Sequence, residues 1–177
     1  MNNLVLVTGN KNKIKEFEEI LDFKIKSIDL DLHEVQAIQV EEVVLYKTKE
    51  AYKQVGMPVL CEDTGLYFDA WNGLPGAFIK WFGKAIGYEN ICPLLKENRR
   101  AKAETVIGYF NGKDYKSFQG EVLGSISLTP QGKTNFGWDP IFIPNGFQKT
   151  FAEMSSKEKN NISMRKIALE KLRDFLQ

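Results

Sequence analysis

The amino-acid sequence predicts an α/β protein built around a mixed β-sheet. Strand and helix patterns alternate along the first half of the chain, whereas strand patterns cluster in the second half. Alternation is typical of strands joined by helices, and clustered strands are expected to pair in antiparallel fashion. A third observation is the Asn111-Gly112 pair, the strongest hairpin signal in the chain, because both residues tolerate the positive φ of a type I′ turn.

Hydrophobic patterns locate the individual elements. Apolar or alternating runs predict strands at residues 4–8, 24–28, 58–62, 103–110, 115–120 and 122–128. Apolar residues at helical spacing predict helices at 13–21, 40–54, 89–97 and 161–176. Turn-forming residues predict surface loops at 83–88 and 129–134. The length of 177 residues suits one core, and no repeat or Pro/Ser-rich linker divides the chain, so a single domain over residues 1–177 is expected.

Composition narrows the classes of partner. The formal net charge is +1, from 24 basic and 23 acidic side chains, so no overall field would draw the protein onto a nucleic-acid polymer or an anionic membrane. The expected partner is therefore a small molecule. Cys61 and Cys92 form no CxxC pair and are expected to be reduced thiols. No apolar run approaches the ~20 residues of a membrane-spanning helix, and a cytoplasmic location is expected.

A candidate phosphate-binding turn follows the first predicted strand. Thr8-Gly9-Asn10 comes directly after the apolar run 4–7, and an amphipathic helix follows. The N-terminus of a helix favours an anion, because its exposed N–H groups and its dipole are positive. Asn10 can cap this helix, and Lys13 can add a full charge. The alternative is an ordinary strand-to-helix connection with a solvated lysine face.

A candidate acidic site follows the apolar residues 59–61. Glu62 and Asp63 are expected at the carboxyl end of a buried strand, where open α/β sheets bind ligands. Adjacent strand residues face opposite sides, so both carboxylates reach one ligand only if the chain turns, as Gly65 would permit. Asp63 together with Glu34 would suit Mg²⁺, which takes one or two carboxylates plus phosphate oxygens and water. The alternative is that Asp63 caps a turn and Glu34 is a surface residue.

Two further segments carry binding candidates. Lys47 lies at the edge of the apolar stripe of helix 40–54, where it either snorkels to water or contacts phosphate. An aromatic pair around a glycine, residues 136–139, can form a slot for a planar base or can pack in the core. Lys159 and Arg165 supply hydrogen-bond donors suited to the carbonyl oxygen of a base.

Taken together, these segments resemble the inosine triphosphate pyrophosphatase family over nearly the whole chain. The matching motifs occur in the family order and are Thr8-Gly9-Asn10 with Lys13 and Glu16, Glu62-Asp63-Thr64-Gly65-Leu66, Leu74-Pro75-Gly76, Ile79-Lys80-Trp81-Phe82, Phe136-Gly137-Trp138-Asp139-Pro140, Phe151-Ala152-Glu153-Met154 and Glu158-Lys159-Asn160. The resemblance implies hydrolysis of non-canonical purine nucleoside triphosphates (ITP, dITP, XTP) to the monophosphate and pyrophosphate, with Mg²⁺ as cofactor. It also implies a long mixed sheet flanked by two lobes, an active-site cleft between the lobes, and a homodimer.

The resemblance also implies a role for each matching residue. Glu34 and Asp63 would hold Mg²⁺, and Asp63 would also be the catalytic proton acceptor for the attacking water. The implied substrate-binding residues are Thr8, Gly9, Asn10, Lys13, Lys47 and Thr64 for the phosphates and Phe136, Gly137, Trp138, Asp139, Lys159, Ser163, Met164 and Arg165 for the base. Phosphoryl transfer depends mainly on positioning and charge neutralisation, so the lone His33 is not required.

One position departs from the family pattern. The family reads Ser-His-Arg where this chain reads Ser163-Met164-Arg165. The missing imidazole would help to recognise a 6-oxo group, whereas methionine is only a weak acceptor, so selectivity over ATP and GTP is open. Met164 also shares a helical face with Ile167 and Ala168, and its alternative role is core packing. Two other functions compete: a related pyrophosphatase acting on pyrimidine triphosphates, and a nucleotide sensor without turnover.

Overall fold

The computed structural model describes residues 4–133 and 137–177, which form a mixed sheet flanked by helices. Within these residues the sheet has seven strands in the order β2-β1-β3-β5-β6-β7, with β4 pairing to β3. The strands are β1 (Val5–Val7), β2 (Lys26–Ile28), β3 (Val59–Phe68), β4 (Pro75–Gly76), β5 (Arg100–Phe110), β6 (Tyr115–Ile126) and β7 (Phe142–Pro144). The predicted fold class is confirmed, because β1 pairs in parallel with β2 and β3 while β3, β5, β6 and β7 pair in antiparallel fashion.

Helices cover the sheet and connect its strands. They are α1 (Lys11–Leu21), α2 (Val40–Val55), α3 (Ile79–Ile86), α4 (Tyr88–Ile91), α5 (Ser156–Ile162) and α6 (Met164–Leu176). Short 3₁₀ turns lie at Asp69–Trp71, Cys92–Leu94, Asp139–Ile141 and Phe151–Glu153. None of the helices that the structure describes is long and apolar enough to cross a membrane.

Strand β3 is longer than the sequence predicts, and this positions the site. It pairs with β5 from Val59 to Phe68, so the chain does not make the turn that Gly65 would permit, and Glu62 and Asp63 face opposite sides of the strand. A Cβ on Gly65 would lie 2.7 Å from Val40 Cγ2, so this glycine permits close packing of α2 on the strand. Strand β1 pairs with β3 only at Val59 and Leu60. Asp63 therefore lies on a central strand, beyond the carboxyl end of its shorter neighbour.

The hairpin prediction is confirmed in its pairing and wrong in its turn. Strands β5 and β6 pair down to Phe110 and Tyr115, on either side of Asn111-Gly112. The connection has four residues, 111–114, and of the Asn-Gly pair only Gly112 has a positive φ, of 96°. Asn111 instead accepts hydrogen bonds at Oδ1 from the backbone N–H groups of Lys113 and Asp114, at 2.9 and 2.8 Å.

Several other boundaries differ from the prediction. The helix predicted at 89–97 ends at Ile91, because Pro93 lies in the 3₁₀ turn that follows and cannot continue an α-helix. Most of the loop predicted at 83–88 belongs to α3, and the strands predicted at 115–120 and 122–128 are one strand, β6. The helix predicted at 161–176 is divided at Ser163 into α5 and α6. Residues 129–133 have no regular structure, and residue 134 of that predicted loop lies outside the described residues.

The long strands extend through two lobes with separate cores. One core contains Leu6, Phe17 and Leu60 with the apolar face of α6. The other, which defines the outer lobe, contains Leu66 and Phe68 with an aromatic cluster of Trp138, Phe142 and Phe151. Because β3 contributes Leu60 to the first core and Leu66 to the second, Asp63 and Thr64 lie between the two lobes.

A single guanidinium joins the α4 segment to the end of β6. Arg99 donates to four backbone carbonyls: Nε to Ile126 at 2.7 Å, Nη2 to Cys92 at 3.0 Å, and further bonds to Leu95 and Ser127. The planar fork of arginine can serve four carbonyls, whereas a lysine ammonium has three donors from one atom. Arg99 thus holds the α4 segment against the end of β6 within the outer lobe, which forms one side of the cleft.

Candidate active site

The turn between β1 and α1 forms one wall of a cleft. Asn10 caps α1 as predicted, since its Oδ1 accepts from the backbone N–H groups of Asn12 and Lys13, at 3.0 and 3.3 Å. The Thr8 hydroxyl accepts from the backbone N–H of Asn10 at 3.2 Å. A Cβ on Gly9 would lie 2.3 Å from an Asp29 carboxylate oxygen, so a larger residue here would require the exposed Asp29 side chain to move. The sequence here dictates a tight turn that opens a helix N-terminus toward the cleft.

Lys13 is held at this wall by Glu62. Its ammonium lies 3.1 Å from Glu62 Oε2 and donates to the Glu62 carbonyl oxygen at 3.3 Å. Burial by itself would raise the pKa of Glu62, but the charges of Arg165 and Lys13 outweigh burial and lower that pKa. Glu62 is therefore an ionised, paired carboxylate directed away from the position of Asp63.

A second cation, Lys47, lies between two carboxylates. Its Nζ is 2.6 Å from Glu34 Oε1 and 3.6 Å from Asp63 Oδ2. The other oxygen of Asp63 accepts from the backbone N–H of Thr64 at 2.8 Å, which orients the carboxylate. Glu34 comes from the segment between β2 and α2, so three separate parts of the chain meet here. The carboxylates that the sequence proposes for a metal are thus brought together by one lysine.

Electrostatic interactions keep Lys47 and Glu34 charged. Burial disfavours the ammonium of Lys47, but the Asp63 charge and the Glu34 hydrogen bond outweigh burial and raise the pKa of Lys47. Burial likewise disfavours ionised Glu34, but Lys47, with Lys80 and Lys13 further away, lowers the pKa of Glu34 below its ordinary value. At neutral pH the cleft therefore holds ionised carboxylates and cations side by side, an arrangement suited to a metal-bound polyphosphate.

These groups line a cavity of about 660 Å³ between the lobes. Ten of the residues proposed from the sequence contribute to its wall: Thr8, Gly9, Asn10, Lys13, Glu34, Lys47, Asp63, Thr64, Gly137 and Trp138. Residues far apart in the chain thus surround one space. The exposed His33 also lines the cavity, next to Glu34.

Further cavity residues come from the outer lobe. Lys80 and Trp81 belong to a motif that matches the family but was assigned no role from the sequence, and they line the cavity together with Tyr88. Trp81 is 54% exposed, with the ammonium groups of Lys80 and Lys84 at 5.6 and 4.8 Å from its ring centroid. Apolar residues at 79, 82 and 86 have helical spacing and could have indicated α3, with Lys80 and Trp81 off its apolar stripe.

A second, smaller cavity of about 320 Å³ adjoins the same helix N-terminus. Asn12 lines both cavities, and Asp139 and Lys159 line the second. Lys159 Nζ lies 2.7 Å from Asp139 Oδ2, whereas Asp139 Oδ1 is buried and accepts no hydrogen bond from the described residues. Burial raises the pKa of Asp139, and Lys159 only partly opposes this effect.

Most of the remaining proposed base contacts lie away from both cavities or outside the described residues. Ser163 caps α6 through its hydroxyl, and Met164 is fully buried in the outer core. Arg165 is also fully buried, paired with Glu16 and with Glu62. Trp138 lines the larger cavity, but the residue is only 4% exposed and its ring packs against Phe142 and Phe151. Phe136 lies outside the described residues.

The donor set fits a metal that shares its ligands with a substrate. Within residues 4–133 and 137–177, no group of three or more His, Cys, Asp or Glu side chains could hold a metal ion by itself. Mg²⁺ needs fewer protein ligands, because it usually takes one or two carboxylates with substrate phosphates and water. Glu34 and Asp63 match that requirement, because both carboxylates lie close to Lys47 and both line the cavity.

The fold and cleft define an α/β protein whose binding site presents a helix N-terminus, cations and paired carboxylates to an anionic ligand. The model of the Ham1 family matches residues 4–175. The chain belongs to the Ham1 family, since this match spans almost its whole length.

Relatives of known name share the full length of the chain. It is 46% identical over 193 residues to the inosine triphosphate pyrophosphatase of Scheffersomyces stipitis, covering 99% of this chain and 98% of that protein. It is 39% identical over 179 residues to the dITP/XTP pyrophosphatase of Thermococcus kodakarensis, covering 98% and 97%. Among solved structures, the Coxiella burnetii HAM1 protein superposes with a TM-score of 0.85 at 33% identity, covering 98% of this chain and 97% of that one. The resemblance inferred from the motifs is confirmed.

Proposed function

We propose that this protein hydrolyses non-canonical purine nucleoside triphosphates (ITP, dITP and XTP) to the monophosphate and pyrophosphate. The observation that carries the proposal is the cavity in which Lys47 joins Glu34 and Asp63 opposite the capped N-terminus of α1. The names of the relatives, inosine triphosphate pyrophosphatase and dITP/XTP pyrophosphatase, support the same reaction. We also propose that residues 1–177 form one such domain.

The phosphate chain would occupy the larger cavity. The positive dipole end of α1 and the ammonium of Lys13 favour anionic oxygens there. Lys47 and Lys80 add positive charge to the cavity wall, which Thr64 also lines. Lys47 is half-buried and already paired with Glu34 and Asp63, so charge neutralisation would need little rearrangement of the protein.

Glu34 and Asp63 are the residues that would hold Mg²⁺. When bound, Mg²⁺ would neutralise and polarise the phosphate oxygens. Asp63 would accept a proton from the water whose oxygen attacks the α-phosphorus, while the bond from that phosphorus to the bridging oxygen breaks and pyrophosphate leaves. The Thr64 N–H donates to Asp63 Oδ1 at 2.8 Å, which orients the carboxylate in the cleft. General bases of this kind contribute roughly 10²- to 10⁴-fold.

The base would lie at the second cavity, against Asp139 and Lys159. A 6-oxopurine presents an acceptor at O6 next to a donor at N1. Lys159 can donate to O6, and the buried Asp139 Oδ1, which accepts nothing from the described residues, can accept from N1–H. Adenine has the reverse pattern and would leave both protein groups unpaired, which is the basis of strong discrimination in polar sites. This arrangement does not require Met164.

A substrate panel tests the reaction and its competitors. Pyrophosphate release should be measured for ITP, dITP, XTP, ATP, GTP, dTTP and UTP, with Mg²⁺ and with EDTA. The proposal expects turnover of ITP, dITP and XTP that EDTA abolishes. Preference for dTTP or UTP would identify the related pyrimidine enzyme instead, and tight ITP binding without pyrophosphate release would identify a sensor.

The assembly and location are also proposals. We propose a cytoplasmic homodimer that acts on a free nucleotide and binds neither nucleic-acid polymers nor membranes. The near-zero formal net charge of +1 supports this view, because it provides no attraction for polyanions. Light scattering of the purified protein tests the dimer, with a monomer mass as the contrary result.

A further inference from the structure

We propose that Glu62 is a positioning residue: its carboxylate, held from behind by Arg165, fixes the Lys13 ammonium for the phosphate chain of the ligand. This inference rests on the proposed function, because it takes Lys13 to be a phosphate contact. It assigns a role to the carboxylate next to Asp63, which faces the other side of the same strand.

The side chain of Lys13 is held by Glu62. Its ammonium is within reach of two acceptors of the same residue, the Glu62 carboxylate at 3.1 Å and the Glu62 carbonyl at 3.3 Å. The ammonium donates a hydrogen bond to the carbonyl and forms an ion pair with Oε2, which accepts no hydrogen bond from the described residues. A lysine ammonium has three donors, so donors remain for a ligand. Lys13 also lines the larger cavity, which places the fixed ammonium where a phosphate oxygen could reach it.

The Glu62 carboxylate is itself held by a buried arginine. Arg165 Nη2 lies 3.1 Å from Glu62 Oε1, and the two side chains are 0% and 1% exposed. Arg165 is held in turn by Glu16, on the same helix as Lys13. The carboxylate therefore has one oxygen on a buried guanidinium and the other on Lys13, and burial leaves it no solvent-facing rotamer.

The consequence for binding follows from conformational entropy. A free lysine side chain samples many rotamers and loses that freedom when it binds phosphate. In this protein Glu62 restricts Lys13 before the ligand arrives, so affinity is not reduced by ordering the side chain. The positive charge of Arg165 also offsets the negative charge that Glu62 would otherwise place near a triphosphate.

Strand β3 adds a geometric consequence. Glu62 and Asp63 are adjacent and face opposite sides of the strand, Glu62 toward Lys13 and Asp63 toward Lys47. One extended segment thus sets the spacing between Lys13 and Lys47 in the cavity wall. The neighbouring strand provides a comparison: Glu104 is equally buried and lies 2.7 Å from Lys102, but neither residue lines a described cavity.

A double-mutant cycle tests the role with inorganic tripolyphosphate as the probe. The dissociation constant should be measured calorimetrically for the parent, Glu62→Gln, Lys13→Ala and the double variant, with Glu104→Gln as the matched control. Glu62→Gln should weaken binding roughly tenfold, and it should have no further effect once Lys13 is alanine. Glu104→Gln should bind as the parent does. Parental affinity in Glu62→Gln, or losses that multiply in the double variant, would overturn the proposal.

Glu62→Gln could fail to fold, because it removes a charge that faces buried Arg165. A second variant therefore keeps the test decisive. Glu62→Asp keeps that charge but shortens the side chain, so it should retain a near-parental melting temperature while still weakening tripolyphosphate binding. Parental affinity in Glu62→Asp would overturn the positioning role. Binding of tripolyphosphate does not require turnover. If the parent protein binds tripolyphosphate but releases no pyrophosphate from ITP, the proposed function is refuted, and the role of Glu62 can still be tested.

Discussion

Replacing Asp63 with asparagine is expected to remove turnover while leaving the cleft assembled. Asparagine has the same shape, so its Oδ1 can still accept from the Thr64 N–H, now at 2.8 Å. Its amide NH₂ would face Lys47, which lies 3.6 Å from Asp63 Oδ2, and Lys47 would keep only its 2.6 Å contact with Glu34. Partly exposed ion pairs contribute about 0–1 kcal/mol to stability, so the variant should fold.

The expected loss lies in the chemical step. Removing a general base lowers kcat by roughly 10²- to 10⁴-fold, or about 3–5 kcal/mol of activation free energy. Ground-state binding should change by less than about tenfold, which is 1.4 kcal/mol, because the cations that contact phosphate remain. Pyrophosphate release gives kcat, and calorimetry with an ITP analogue carrying a methylene between the α- and β-phosphorus gives Kd without turnover.

Asp69 provides the matched control for this experiment. It follows the end of β3, is exposed, and pairs with Arg100 at 2.9 Å outside the cleft. Asp69→Asn should therefore leave both kcat and Kd unchanged. A near-parental kcat in Asp63→Asn, with parental binding, would refute the assignment of Asp63 as the proton acceptor.

Three further outcomes are expected from particular contacts. Met164→His should lower the melting temperature without changing the ratio of kcat/KM for ITP to that for ATP. The reason is that Met164 is 0% exposed, and a buried imidazole without a partner costs about 1–3 kcal/mol. A raised ratio at an unchanged melting temperature would instead place residue 164 at the base. Arg99→Lys should lower the free energy of unfolding in urea by about 2–3 kcal/mol, since charged hydrogen bonds to carbonyls are lost, and a change below about 0.5 kcal/mol would contradict this. Because the pKa of Glu62 is lowered in the folded state, the folded protein binds fewer protons there, so stability should fall as the pH drops through about 4.3 and below. Urea unfolding from pH 3 to 7 should show a shallower decline in Glu62→Asn or Glu62→Gln, and equal slopes would argue against ionised Glu62.

Local patterns in the sequence were sufficient for many elements and for several site residues. Asn10 predicts its own helix start, because its side chain bonds to the N–H groups two and three residues later. The Asn111-Gly112 pair predicts a hairpin, although Asn111 forms it by accepting two hydrogen bonds rather than by a positive φ. These features depend on neighbours within a few residues, which the sequence displays directly.

Contacts between distant segments account for the errors. Gly65 has the appearance of a turn residue, but its missing side chain allows α2 to approach β3, with a Cβ at that position only 2.7 Å from Val40. Arg165 has donors suited to a base, but folding buries it between Glu16 and Glu62. Neither outcome can be inferred from adjacent residues, since the partners are remote in the chain.

The mixed sheet, the capped turn after the first strand, the candidates Lys47, Glu34 and Asp63, and the resemblance to a family could all be inferred from the sequence. These properties follow from residue type, spacing and order. The pairing of charges and the burial of Met164 emerged only in the folded chain: Lys47 lies between Glu34 and Asp63, Glu62 pairs with Lys13, and Met164 is buried in the core. The electrostatic energy of a charged group depends on its distance in space from other groups within a few ångströms. The separation of two residues along the chain does not give that distance.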